Sequence, residues 1–280
     1  MISKFKTQHW IAIGLTLTLT VLLYFAPKKG EEKPTEMQSK PGFVEVDVTH
    51  YFDSVYAALP AKLQAQVLQQ KELIKASKDV AQRSLAYDSL ASIWKGQKDP
   101  FMMAMTMFSK SEDVKTLEVY KQAGKDCYMT SRFVEPRLQQ HLLNKAIACF
   151  AKALEAEPNN LDTKTDLGVC YVENGQDPMK GIGLLREVVS TDSTNLKAQT
   201  SLGMFAIQSG QNDKALKRFT SITKMYPENA EAYLFLAQSY ANLGQKDKAV
   251  ESLKIFKSKN TDKTIDSEID SYIKSLTTNN

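Results

Sequence analysis

A short block of this sequence recurs at a fixed displacement, and that constrains the fold more than any other feature. Gly210-Gln-Asn-Asp-Lys-Ala215 returns as Gly244-Gln-Lys-Asp-Lys-Ala249, 34 residues later, and Leu202-Gly203 returns as Leu236-Ala237 at the same displacement. One unit earlier, Leu167-Gly168-x-x-Tyr171 and Gly175-Gln176 fit with a single extra residue, placed near Pro178. A period of this length means that each unit is one supersecondary piece. Such a piece cannot bury its own apolar face and must stack on its neighbours.

Each unit holds an apolar stripe at helical spacing, a glycine, and a second such stripe, which predicts a hairpin of two helices. Gly175, Gly210 and Gly244 fall where the first helix must end in a left-handed cap. Asn160, Asn195 and Asn229 recur at the unit starts, where an asparagine side chain can cap the first helix. Asp213 and Asp247 are expected to cap the second helix and to suit its positive end.

The last unit reads Tyr233-x-x-Leu236-Ala237-x-x-Tyr240 and then Ala249-x-x-x-Leu253, and the one before it supplies Ala215-x-x-x-Phe219 and Pro227. This pattern resembles the tetratricopeptide repeat (TPR) family. The resemblance implies an all-α protein, a right-handed superhelical array of antiparallel helix hairpins. It covers 161–262 as three units and extends to 111–160 as a TPR-like hairpin. In that hairpin Leu117 to Arg132 pairs with a helix opening near Asn144, and about ten residues around Phe133 to His141 are expected in the loop. Residues 47–110 read as an irregular helical region, broken at Pro60, with a degenerate hairpin at Ala86–Trp94 and Phe101–Phe108. Ile265, Ile269, Tyr272, Ile273 and Leu276 mark a capping helix in 263–280, which would cover the last hairpin.

In the family the first helix of each unit lines a concave groove. Carried over to this chain, the groove positions are Val169 and Val172, then Thr200, Met204 and Ile207, then Leu234, Phe235 and Gln238. Polar positions include Asp162, Asp166, Glu173, Lys197, Ser201, Glu231 and Asn242. One TPR subclass clamps a C-terminal carboxylate with lysine, asparagine and arginine at set places. Here Thr165, Val169, Glu231 and Phe235 stand there instead, which argues against that role. The apolar set suggests a docked peptide or amphipathic helix. The competing reading is that the same side chains pack against neighbouring hairpins.

Trp10 to Ala26 is a run of seventeen residues without a charge. As a helix it would extend roughly 25 Å, enough for the hydrocarbon core of a bilayer. Trp10, Tyr24 and Phe25 sit where interfacial aromatics are enriched, and no A-x-A-like cleavage site follows. The expectation is a short tail at 1–9, an uncleaved signal-anchor helix at 10–26, and a Pro-, Lys- and Glu-rich flexible linker at 27–46. Lysines flank the run on both sides, so charge barely sets orientation. The short tail favours a single-pass protein of the inner (cytoplasmic) membrane with its C-terminal body periplasmic or extracytoplasmic.

The net charge of +4 is dispersed, which gives nucleic acid no concentrated basic face. The basic residues on the second helices, Lys214, Lys217, Arg218 and Lys254 among them, read as a solvated face rather than a lipid-headgroup surface. The three cysteines form no CxxC, and the three histidines are scattered, so neither a metal nor a cofactor is expected. Gly181-Ile-Gly183 is too short for a dinucleotide fingerprint, and no P-loop or nucleophile elbow occurs. The sequence therefore points away from an enzyme. It suggests a membrane-tethered interaction scaffold with protein partners, the alternative being a chaperone-like envelope-assembly or secretion factor. In layout the chain resembles bacterial membrane-anchored TPR proteins, including ancillary translocon subunits. Self-association through the groove or the 47–110 region is a third reading.

Overall fold

The computed structural model describes residues 46–278. The expected tail, the membrane span and all of the linker but its last residue lie outside the described residues. Among those described, no helix is long and apolar enough to cross a membrane.

Every regular element among the described residues is helical, and the chain divides at Thr191–Asp192 into two compact units. The first holds α1 (Val48–Ala57), α2 (Ala61–Ala76), α3 (Val80–Gly96), α4 (Pro100–Val114), α5 (Leu117–Ser131), α6 (Pro136–Ala156), α7 (Leu161–Asn174) and α8 (Pro178–Thr191). The second holds α9 (Leu196–Gln208), α10 (Asn212–Met225), α11 (Ala230–Asn242), α12 (Lys246–Lys259), a single 3₁₀ turn (Lys263–Ile265) and α13 (Asp266–Thr278).

Local chemistry sets the helix starts. The side chains of Asn160, Asn195 and Asn229 accept from the backbone N–H of Thr163, Ala198 and Ala232, each at 2.9 Å. Each such cap contributes about 1 kcal/mol. Asp47, Asp79 and Asp99 do the same for α1, α3 and α4. The second helices differ from expectation. Gln211 and Gln245 occupy the caps of α10 and α12 without a side-chain bond, and Asp213 and Asp247 lie inside the first turn. There they face the positive end of the helix dipole without satisfying a backbone donor. Gly175, Gly210 and Gly244 take φ of 75°, 72° and 72°, the left-handed geometry that turns each first helix into its partner.

In the first unit the core gathers Trp94, Phe101, Leu142, Leu143 and Phe150. Aromatic edges from α1 close over it: Tyr51 meets Phe101 at 4.8 Å between ring centres, and Phe52 meets Trp94 at 5.9 Å. The bidentate pair of Arg83 with Asp113, at 2.8 and 2.9 Å, ties α3 to α4. The residues expected to form a loop around Phe133–His141 are instead largely helical, because α6 starts at Pro136. Proline suits a first helical position, having no N–H to leave unpaired. Leu138, His141, Leu142 and Leu143 then continue the buried stripe of the helix. The insertion lengthens a helix rather than looping out.

In the second unit two hairpins, α9/α10 and α11/α12, stack side by side. The packing explains the repeated sequence. Gly203 on α9 sits under the ring of Phe219 on α10, where a methyl group would approach the ring carbons to 2.6 Å. One unit on, the glycine becomes Ala237 and the phenylalanine becomes Leu253, and the two share one cluster. A methyl gained on one side is matched by a smaller side chain on the other, so the core volume stays filled. α13 closes the array: Ile265 and Ile269 pack on Leu234, Leu253 and Phe256.

Candidate functional site

The eight groove positions are divided between the two units. Val169 and Val172 belong to the first unit, the other six to the second. Leu234, Phe235 and Gln238 require correction as contact residues. Leu234 is 2% exposed because α13 lies over it. Phe235 is 6% exposed and stacks on Phe219, with ring centres 5.1 Å apart. Gln238 is 3% exposed, so it too is packed. Val169 is likewise buried on α7. These side chains hold hairpins together, the competing reading of the apolar stripe.

What stays reachable is a narrower set. Thr200, Met204 and Ile207 are half-buried and spaced by four and three residues, so they share one face of α9. Met204 and Ile207 lean on the cluster that contains Phe235 and Leu236 of α11. Ser201 beside them is also half-buried. In the first unit Val172 is half-buried on α7, next to the half-buried Glu173.

Polar chemistry on the first helices is organised through side-chain amides and one carboxylate. Gln238 Nε2 donates to Asn242 Oδ1 at 3.0 Å, and Asn242 Nδ2 donates to Asn212 Oδ1 at 3.0 Å. A matching bond joins Asn174 Nδ2 to Asn144 Oδ1 at 2.9 Å in the first unit. Both asparagine pairs join a second helix to the first helix of the next hairpin. Their partners are 30 residues apart in each case, a regularity legible in sequence only once the hairpins are known. Glu173 accepts from Tyr128 Oη at 3.1 Å. Burial pushes the Glu173 carboxyl up, opposed by the Arg132 charge and the Tyr128 hydrogen bond. Tyr128 and Arg132 were not legible as site residues, because α5 lies in the weakly repetitive part of the chain.

Of the basic residues on the second helices, several are already engaged. Lys257 pairs with Asp270 at 2.5 Å and Lys259 with Glu228 at 2.7 Å, while Lys214 and Lys248 bond Gln211 and Gln245. Among the described residues no group of three or more His, Cys, Asp or Glu side chains is placed to hold a metal ion.

The family model described as Tetratricopeptide repeat matches residues 206–262, from the end of α9 through α12. That segment is similar to a tetratricopeptide repeat. Phe219 and the next unit's Ala237 and Leu253 fall within it, and Gly203 precedes it by three residues. No curated protein matches the chain. Among solved structures, MamA from AMB-1 is 21% identical, with 57% of this chain and 80% of that one covered at a TM-score of 0.45. Another MamA structure is 18% identical, covering 66% and 94% at 0.47. YrrB, described as a TPR protein with an unusual peptide-binding site, is 21% identical, covering 73% and 96% at 0.46. These overlaps are low, and the similarity to the tetratricopeptide repeat rests on the family match over 206–262.

Proposed function

We propose that this chain is an interaction scaffold that holds a partner polypeptide, as an extended peptide or an amphipathic helix, on its first helices. The observation that carries the reading is the stripe of Thr200, Met204 and Ile207 on α9, half-buried while Leu234, Phe235 and Gln238 on α11 are packed. A ridge of one hydroxyl and two flexible or branched apolar side chains can seat the apolar face of a partner segment. The uncharged run at 10–26 supports tethering to a membrane; in this reading the body lies on the extracytoplasmic side. Tethering would confine a partner near the bilayer and raise its effective concentration.

A photo-crosslinking residue placed at Ile207, with Phe235 as the buried control, tests the docking surface in cells. One strong product from Ile207, absent from Phe235, is expected for a scaffold with a stoichiometric partner. A spread of exported or unfolded chains would instead favour the client-handling factor. No product from a folded protein at Ile207 would remove α9 as a docking surface.

A further inference from the structure

The first unit carries a second polar feature, on α5 and α7, the first helices of successive hairpins. Tyr128 Oη on α5 donates to Glu173 Oε1 on α7 at 3.1 Å. Arg132, one turn beyond Tyr128, donates from Nη1 to the same phenolic oxygen at 3.3 Å, its guanidinium 6.0 Å from the centre of the Tyr128 ring. The guanidinium thus bonds the phenol and not the acid. Among the described residues Glu173 forms no ion pair, and its Oε2 takes part in no hydrogen bond. The nearby Arg132 charge and the one phenolic donor offset the burial of this carboxylate only in part, and a cation delivered to its open oxygen is stabilised more than at a fully hydrated acid.

The surroundings are apolar and open. Met129 is 52% exposed and Phe133 45%, both beside Tyr128 and Arg132 along α5 and the turn that follows it. We propose that this face receives a partner segment bearing a lysine or arginine bracketed by apolar residues, the cation pairing with Glu173 Oε2 and the apolar groups covering Met129 and Phe133. The proposal rests on the docking reading above and names the chemistry of the occupant on the first unit. Lysine and arginine are the only protein side chains that carry a full positive charge at neutral pH on a stem long enough to reach a half-buried acid while their neighbours lie on the surface.

The test is selection of a random-peptide library on the purified full-length chain in detergent, followed by affinity measurement of the selected peptides on variants. Enriched peptides are expected to carry Lys or Arg between apolar residues. Glu173→Gln, which keeps shape and leaves the melting profile near wild type, should weaken them on the order of tenfold, as loss of a charge-assisted bond implies. Arg132→Gln should not weaken them. Enriched peptides without a basic residue, or equal affinity for Glu173→Gln, would overturn the proposal while leaving the docking reading in place. If no peptide is enriched, the proposal falls, and the fate of the wider reading is then decided by the Ile207 crosslinks.

Discussion

Phe219→Ala should lower the stability of the C-terminal unit by about 3–5 kcal/mol, the usual cost of emptying a buried aromatic site. The Phe219 ring is fully buried and fills the space over Gly203 and against Phe235. Neither neighbour can expand into the void: Gly203 has no side chain, and Phe235 is held by the cluster around Ile222, Ala232 and Leu236. Single domains are stable by only about 5–15 kcal/mol in total, so the loss consumes a large share. Denaturant unfolding followed by far-ultraviolet circular dichroism, on the full chain, gives the difference directly. A loss below about 1 kcal/mol would mean that the hairpins collapse onto the site and that the glycine–phenylalanine contact is not what spaces α9 from α10.

Gly181→Ala should destabilise the first unit by about 1–3 kcal/mol, although alanine is the better helix former. A methyl at Gly181 would meet Val172 Cγ2 at 2.7 Å and Val172 N at 2.9 Å, and would come closer still to the Gly168 carbonyl oxygen. Two of these three are main-chain atoms of α7 and cannot rotate away, so α7 and α8 must move apart. Gly183, two residues further along α8, has open space where its methyl would go. Gly183→Ala should therefore stabilise by up to about 1 kcal/mol, through helix propensity alone. Paired thermal melts of the two variants decide the matter. A Gly181→Ala protein as stable as wild type would show that the helices are not in main-chain contact at this crossing.

This contrast also shows what the sequence could convey. Gly181-Ile-Gly183 is legible as two glycines in a helix but not as one contact and one vacancy, because the distinction depends on α7, which comes from elsewhere in the chain. The caps at Asn160, Asn195 and Asn229 were legible because an N-cap uses atoms within three residues. The left-handed glycines were legible for the same reason. Asp213 and Asp247 misled because an acid near a helix start suits both the cap and the first turn. At Phe133–His141 the repeat template suggested a loop, whereas Pro136 and the stripe through Leu138, Leu142 and Leu143 already favoured a helix. Leu234 and Phe235 lie at groove positions in the family register, yet α13 and Phe219 cover them. No single unit of sequence encodes what the next element will hide.

Cys127, Cys149 and Cys170 are the chain's three cysteines, all buried in the first unit and none in a disulfide. Burial drives the Cys127 thiol well up, and that of Cys149 to about 11, so neither offers appreciable thiolate at neutral pH. With all three thiols buried, the native body is expected to react slowly with maleimides and oxidants in whichever compartment it lies. One cysteine introduced on an exposed stretch of the body becomes a solitary handle in an otherwise unaltered protein. An impermeant label applied to intact cells then reads out directly which compartment the body occupies.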